Sequence, residues 1–209
     1  GKMVSVNKGK WDEIDTYKEI ESFNEIWLVE CQRILKENGT IWVSGTHHNI
    51  YSVGNTMKKI GYKILNVITW EKPNPPPNLS CRYFTHSTET ILWFGKHKKS
   101  KHLFNYKTMK KINNNKQMKD VWRMTAPKKD EKKFGKHPTQ KPVGLFERII
   151  KDYSDANAVV VDFYLGSGTT LIACERLGRK CRAVEIAPGY VGVALERWAQ
   201  MTRKQPQLN

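Results

Sequence analysis

The sequence has few cysteines and no long apolar run, and each shortage excludes a class of protein. Four cysteines occur among 209 residues, and none forms a C-x-x-C pair or has the spacing of metal ligands. This argues against a disulfide framework and a zinc site, and it favours a reducing cytoplasm. No apolar run approaches the roughly eighteen residues of a membrane-spanning helix, and no signal peptide opens the chain, so we expect no membrane partner.

Two nucleotide-binding patterns are also missing from the glycine-rich stretch DFYLGSGTT at residues 162–170. A P-loop requires a lysine directly after its last glycine, and none follows Gly168. A dinucleotide fingerprint requires a third glycine three residues later, where the chain has Leu171. The stretch is therefore not a P-loop and matches a dinucleotide site poorly. An S-adenosylmethionine turn is the third alternative, and a tight turn without a ligand is the fourth.

Positive charge is concentrated in one part of the chain. The formal net charge is +16 and the isoelectric point is about 9.7. Between residues 96 and 141, fifteen lysines and one arginine stand against three acidic residues, so the rest of the chain is nearly balanced. This combination favours an insertion that contacts nucleic acid over a solvated loop. The segment also holds four aromatic residues able to stack on bases: Phe104, Tyr106, Trp122 and Phe134.

The order of predicted helices and strands indicates an α/β fold. Apolar spacing predicts helices at residues 16–39, 49–59, 143–153 and 169–178 and from Pro188 onward, and strands at 40–45, 63–70, 90–94, 157–166 and 180–186. In the second half a strand, a glycine turn, a helix, a strand and a helix follow one another. That order is typical of βαβ units, which build parallel sheets.

An acidic residue accompanies the glycine turn. Gly166 and Gly168 let the backbone turn tightly and approach a ligand closely, and the amides that open the next helix can bind an anionic group. Glu185 ends the next predicted strand, seventeen residues after Gly168, so we expect its carboxylate beside the turn, where it can accept two ribose hydroxyl protons. Turn and acid together favour a cofactor over an empty turn.

Several segments now point to one family. The chain has D-F-Y-L-G-S-G-T-T where the beta class of amino-group DNA methyltransferases usually has D-P-F-x-G-S-G-T-T, with Phe163 for proline and Tyr164 for phenylalanine. FGKHPTQKP at residues 134–142 and VEIAPGYVGVALERW at 184–198 also look like family segments, with Ala187 in place of an aspartate. The chain therefore resembles this class, which modifies adenine N6 or cytosine N4, and the resemblance spans essentially its whole length.

The resemblance implies a Rossmann-like methyltransferase fold, with a mostly parallel, doubly wound sheet. The order is circularly permuted, so that the catalytic half precedes the cofactor half. Residues 1–95 would form the C-terminal part of the catalytic half, 96–136 the basic target-recognition insertion, and 137–209 the cofactor-binding half. The fold and the family imply a cytoplasmic, site-specific enzyme of the restriction-modification type that acts on DNA, and homodimers are frequent in the class.

The catalytic tetrapeptide of the family, [DNS]-P-P-aromatic, does not occur in these 209 residues. KPNPPPN at residues 72–78 resembles it, but Pro77 stands where an aromatic residue would stack on a flipped base. It matches instead a later family element, which we interpret as a rigid wall near the target pocket, with Asn74 as a turn residue. We therefore expect no catalytic residue here and expect the tetrapeptide, with two strands of the sheet, upstream of Gly1.

The resemblance also assigns roles to individual residues. Glu185 would hold the ribose of S-adenosylmethionine, Asp162 would lie near its amino group, and Thr139 and Lys141 near its carboxylate. His137 would orient or pack rather than act as a general base. The amino-acid end would lie against Tyr164, Gly166, Ser167, Gly168, Thr169 and Thr170. Contacts to DNA, chiefly to phosphates, would come from Lys128, Lys129, Lys132, Lys133 and Arg123.

The implied reaction is methyl transfer to the exocyclic amine of a flipped base. Similarity to the adenine-modifying members favours adenine N6, and cytosine N4 is the alternative. A non-catalytic, DNA-binding relic is a further alternative, which the absent tetrapeptide supports. A nicotinamide oxidoreductase is opposed by Leu171 and by the HPTQKP segment. An RNA or protein methyltransferase is weaker, because the family match is to DNA enzymes.

Overall fold

The computed structural model describes residues 16–135 and 137–207, in which helices and strands are interleaved. The helices are α1 (Tyr17–Ile34), α2 (Ile50–Ile60), α3 (Tyr106–Ile112), α4 (Val143–Tyr153), α5 (Thr169–Leu177) and α6 (Pro188–Thr202). The strands are β1 (Thr40–Gly45), β2 (Lys63–Glu71), β3 (Thr88–Gly95), β4 (Val121–Arg123), β5 (Val159–Asp162) and β6 (Lys180–Ala183). These residues divide into two compact units, one of residues 16–70, 88–102 and 120–122, and one of 71–87, 103–119 and 123–207.

The first unit is built on a four-stranded sheet in the order β1-β3-β2-β4. Strands β1 and β3 run antiparallel, with Trp42 opposite Trp93 and their rings stacked 4.7 Å apart. Helices α1 and α2 pack together and contribute Leu28, Ile50 and Met57 to an apolar core that also holds Leu92 and Phe94 of β3. Burying such side chains stabilises the unit by about 1.5–3 kcal/mol each.

Helix α1 begins as its sequence predicts and ends earlier. Thr16 and Glu19 form a capping box, in which the Thr16 Oγ1 accepts from the Glu19 amide and the Glu19 carboxylate accepts from the Thr16 amide. The helix was predicted to reach the Asn38-Gly39 pair. It ends at Ile34, because Leu35 already has extended backbone angles, φ −64° and ψ 133°.

The second unit contains the predicted βαβ element. Strands β5 and β6 are parallel, with Val160 opposite Cys181, and helix α5 connects them. Helices α4 and α5 pack together, and their core includes Val143, Ile150 and Ala173. The parallel pairing confirms the prediction from the order of elements. Because β1 and β3 are antiparallel, the chain contains both parallel and antiparallel strand pairs.

The basic segment is more ordered than its composition suggests. It contains α3 and β4, and residues of it fall in both units. Asn105, just before α3, donates from its Nδ2 to the backbone oxygens of Lys151 and Ser154 at the end of α4. Phe104 and Tyr106 are about two-fifths exposed, so they are accessible for stacking. The same prediction for Trp122 is wrong, because Trp122 is buried, with its ring 6.4 Å from that of Trp42.

No helix within the described part of the chain is long and apolar enough to cross a membrane. The cysteines Cys31, Cys81, Cys174 and Cys181 are free thiols.

Candidate cofactor-binding site

The glycine turn joins the end of β5 to the start of α5. Gly166 and Gly168 both have left-handed backbones, with φ +56° and +83°, which residues with side chains seldom adopt. The Gly168 amide donates to the Leu165 carbonyl oxygen over 3.0 Å and closes the turn. The missing β-carbons let other parts of the protein pack against the turn, His137 beside Gly166 and Ala194 beside Gly168.

Asp162, the last residue of β5, holds the turn together with its carboxylate. One oxygen, Oδ1, accepts a hydrogen bond from the Tyr164 amide over 2.9 Å. The other, Oδ2, accepts from the Thr170 hydroxyl over 2.5 Å. The carboxylate therefore connects the entrance of the turn to the first turn of α5, and it lies half-buried at the predicted site.

Glu185 lies beside the glycine turn, as the parallel strands predicted. Its Oε2 accepts from the Gly166 amide over 2.8 Å, and its Oε1 accepts from the Ala187 amide over 2.9 Å. The Leu165 amide also donates to the Val184 carbonyl oxygen, which brings the ends of β5 and β6 together. Each carboxylate oxygen has further lone pairs, so Glu185 can still accept hydrogen bonds from two hydroxyl groups.

His137 lies directly against the turn. A β-carbon added at Gly166 would be 3.2 Å from His137 Nε2, which is closer than ordinary van der Waals contact, so the ring is packed against the glycine. The Thr139 amide and hydroxyl lie 3.3 and 3.2 Å from His137 Nδ1. Burial lowers the pKa of His137, the Glu185 charge opposes that shift, and the Lys141 charge adds to it. The ring is therefore neutral at pH 7, and because the Thr139 amide needs an acceptor, we assign the ring proton to Nε2.

The rest of the 137–142 segment lies against the start of α5. The Thr169 hydroxyl donates to the Lys141 carbonyl oxygen over 3.1 Å, and Lys141 Nζ donates to the Thr139 carbonyl oxygen over 3.2 Å. The first of these bonds brings together two motifs that are separated by nineteen residues in the sequence. The predicted cofactor residues of both motifs therefore form one cluster.

The side chains of the turn divide into two groups. Ser167, Thr169 and Thr170 are at most 6% exposed, and their hydroxyls are engaged within the protein, so a ligand would meet them mainly through the backbone. Tyr164 is 61% exposed, and its ring is accessible to a ligand. The cluster fits S-adenosylmethionine, since it offers the Glu185 carboxylate for hydroxyls, the Asp162 carboxylate for an amine, and an exposed aromatic ring at Tyr164.

Two residues of α6 belong to this site and were not singled out in the sequence. The Tyr190 ring packs edge-on against His137, with centroids 4.3 Å apart. Arg197 is buried and donates from Nη1 to the Ser167 carbonyl oxygen. The segment VEIAPGY contains Tyr190 and could have signalled it. Nothing in the sequence indicated that Arg197 is buried at the site, because an arginine on an amphipathic helix is usually at the surface.

The four predicted DNA-binding lysines lie in and beside a short 3₁₀ helix at Asp130–Lys132, and the predicted Arg123 ends β4. Lys128, Lys129 and Lys133 are exposed, and Lys132 is half-buried. Arg123 is exposed and pairs with Glu71 over 3.5 Å. Most of these cations are thus available to a polyanion.

The proline-rich stretch forms the base of a loop between β2 and β3. The Lys72 amide donates to the Ser87 carbonyl oxygen over 2.7 Å and closes the loop. Asn74 lies in a bend of this loop. The side chain of Asn78 stabilises the loop, since its Nδ2 donates to the Tyr83 carbonyl oxygen and its Oδ1 accepts from the Ser80 amide. At the loop tip Phe84 is 96% exposed.

Among the described residues, no group of three or more His, Cys, Asp or Glu side chains is arranged to hold a metal ion.

Comparison with known proteins identifies relatives along nearly the whole chain. A family model described as DNA methylase, of the N6/N4 type, matches residues 3–196. The chain is 54% identical over 198 residues to the type II methyltransferase M2.LlaDCHI of Lactococcus lactis subsp. cremoris, which covers 94% of this chain and 74% of that relative. It is 50% identical over 200 residues to the type II methyltransferase M2.MboI of Moraxella bovis, with 96% and 73% covered.

Solved structures are similar as well. The crystal structure of the M1.HpyAVI–SAM complex matches with a TM-score of 0.71 and 30% sequence identity, over 87% of this chain and 82% of that one.

Proposed function

The chain belongs to the N6/N4 DNA methylase family and uses S-adenosylmethionine, and on this premise we propose that it methylates N6 of adenine in DNA. The structural observation that carries the cofactor part of the proposal is the 2.8 Å bond from the Gly166 amide to the Glu185 carboxylate, because it places an acid at a glycine turn between parallel strands. Adenine is preferred to cytosine because the chain as a whole resembles the adenine-modifying members of the family.

The cofactor, when bound, supplies an activated methyl group on a positively charged sulfur. The protein's part is to orient and hold. We assign the ribose hydroxyls to the Glu185 carboxylate and the amino group to the neighbourhood of Asp162. Lys141 and Thr139 would lie near the carboxylate of the amino-acid end. The turn residues would surround that end mainly through their backbone: Tyr164, Gly166, Ser167, Gly168, Thr169 and Thr170.

His137 has a positioning role in this proposal. Its ring is neutral, is packed between Gly166 and Tyr190, and uses Nδ1 to accept from Thr139. The base amine loses a proton easily once it has been methylated, so a general base contributes little. The rate would come instead from holding the reacting groups in line, which can supply about 7–11 kcal/mol.

DNA is the partner that the charge distribution favours. We propose that Lys128, Lys129, Lys132, Lys133 and Arg123 contact phosphates, and that Phe104 and Tyr106 are available to stack on bases. Such lysine contacts raise affinity for every sequence and do not specify bases.

Replacing three exposed lysines, K128Q, K129Q and K133Q together, should weaken binding to all duplexes and flatten its salt dependence. Each lost phosphate contact reduces the magnitude of the slope of log K against log salt by about 0.9. The slope of the triple variant should therefore be smaller in magnitude by roughly 2–3. Fluorescence anisotropy at several salt concentrations measures this slope. The control is K18Q, K36Q and K58Q together, which changes the net charge equally at exposed sites elsewhere. Equal slopes for the two variants would disprove the assignment.

The base is identified by analysing the product. We expect N6-methyladenine when an unmethylated duplex is incubated with the full-length protein and S-adenosylmethionine, digested to nucleosides and examined by mass spectrometry. N4-methylcytosine would establish the alternative base. A protein that binds both adenosylhomocysteine and DNA but forms neither product would be a non-catalytic relic, and the proposal would fail.

We further propose that the enzyme is a type II methyltransferase of a restriction-modification system, acts in the cytoplasm and forms a homodimer. The names of the relatives M2.LlaDCHI and M2.MboI support the first part. The small number of cysteines, with no C-x-x-C pair, supports the second. Sedimentation velocity tests the third, and a single species of monomer mass at micromolar concentration would contradict it.

A further inference from the structure

One face of helix α6 contacts the glycine turn at two points. A β-carbon added at Gly168 would lie 2.6 Å from the Ala194 Cβ, so the helix and the turn are in close contact there. One helical turn later, Arg197 Nη1 donates to the Ser167 carbonyl oxygen over 2.5 Å and lies 3.3 Å from the Ser167 hydroxyl. The two contacts fall on consecutive residues of the G-S-G sequence.

The same face of α6 also contacts the segment that precedes α4. Tyr190 packs on His137, and Val193 lies so close to Gly135 that an added β-carbon would be 2.8 Å from its Cγ2. Tyr190, Val193, Ala194 and Arg197 have the i, i+3, i+4, i+7 spacing of one helix face. This face therefore holds both motifs of the cofactor site from the side of the protein interior.

Arg197 is the polar member of this face and is only 9% exposed. Burial lowers the pKa of its guanidinium, and the charge of Glu131 opposes the shift. Desolvating a charge is unfavourable, and an apolar residue of similar size would fill the same space without that penalty. What the guanidinium adds is a charged donor for the Ser167 carbonyl.

That hydrogen bond sets the orientation of one peptide group. The peptide between Ser167 and Gly168 has its oxygen bound to Arg197 and its amide bound to the Leu165 carbonyl oxygen. Without Arg197 the oxygen would be a buried acceptor lacking its charged partner, and this peptide, next to two left-handed glycines, could rotate. Rotation would displace the Gly166 amide from Glu185.

We propose that Arg197 is a positioning residue for methyl transfer, which fixes the cofactor turn from behind through the Ser167 carbonyl without touching the cofactor. This inference rests on the cofactor assignment. It predicts that loss of the guanidinium impairs cofactor binding selectively and leaves the binding of DNA by the cofactor-free protein unchanged.

The test compares R197M, R197K and the control R203M, which removes a positive charge from an exposed position just beyond the end of α6. Calorimetric titration of the full-length protein with adenosylhomocysteine should show a Kd about ten- to a hundredfold higher for R197M, the range for one lost charged hydrogen bond. R197K keeps a charged donor and should recover part of the loss. In methylation assays the KM for S-adenosylmethionine should rise, and the KM for DNA should not.

Two results would overturn the inference. One is adenosylhomocysteine binding by R197M at the affinity of R203M. The other is an equal loss of cofactor and DNA affinity in R197K, which is the pattern of a merely structural residue. If R197M does not fold, R197K is compared with R203M instead. An adenosylhomocysteine Kd equal to that of R203M then overturns the inference, and a selectively higher Kd supports it. Failure of the unmodified protein to bind adenosylhomocysteine would instead refute the cofactor assignment, so the two failures are distinguishable.

Discussion

Glu185→Ala should raise the Kd for adenosylhomocysteine about a hundredfold or more. The substitution removes the acceptor of the Gly166 and Ala187 amides, which are bound over 2.8 and 2.9 Å, and also the acceptor proposed for the ribose. Hydrogen bonds to a charged group contribute about 1.5–3 kcal/mol each. Losing the bonds from both ribose hydroxyls therefore weakens ligand binding by roughly 3 kcal/mol or more. Calorimetric titration measures the change. Glu196→Ala, which removes an exposed carboxylate from α6, is the matched control and should bind normally.

A second ligand separates a ribose contact from an effect on the turn. With the unmodified protein, 3′-deoxyadenosylhomocysteine should bind more weakly than adenosylhomocysteine, because the Glu185 carboxylate then lacks one of its hydroxyl donors. With Glu185→Ala the two ligands should bind almost equally, so the cycle gives a coupling energy between carboxylate and hydroxyl. An undiminished preference for the hydroxyl in the variant would show that Glu185 only supports the turn.

The sequence was sufficient for the local parts of this site. The glycine turn, the parallel β5–β6 pair and the acid beside them follow from the order of elements, because the carboxyl ends of adjacent parallel strands meet at one edge of a sheet. Glu185 lies two residues beyond β6 rather than within it, and its position relative to Gly166 is still the expected one. Short-range patterns therefore carried the prediction where the contacts follow from strand order.

Contacts between distant segments could not be read from the sequence. Trp122 was interpreted as a base-stacking residue because it lies in a lysine-rich segment, but β4 joins a sheet and buries it. Helix α3 was not predicted, since it has only seven residues and is anchored by Asn105 to the end of α4. Arg197 shows the same limit, because only the fold reveals that its face of α6 covers the glycine turn.

Gly168→Ala should destabilise the second unit by roughly 2–5 kcal/mol and abolish cofactor binding. A left-handed backbone, φ +83° here, costs about 1–2 kcal/mol for a residue with a β-carbon. The new β-carbon would also lie 2.6 Å from Ala194 Cβ and 3.0 Å from its Cα. Ala194 is buried and belongs to helix α6, so relief of the contact requires a shift of the helix, and overpacking adds about 1–3 kcal/mol. Urea unfolding and titration with adenosylhomocysteine measure the two effects.

Gly178→Ala is the control that separates backbone strain from crowding. Gly178 also has a left-handed backbone, φ +67°, but nothing lies within 4 Å of an added β-carbon. This variant should be destabilised only by the backbone strain, about 1–2 kcal/mol, and should bind the cofactor normally. Adding Ala194→Gly to Gly168→Ala should relieve part of the crowding and recover part of the lost stability, although the 3.0 Å approach to the residue 194 Cα persists. Equal destabilisation by Gly168→Ala and Gly178→Ala would mean that α6 yields to the new side chain, and close packing of α6 on the turn would then not be what requires glycine at position 168.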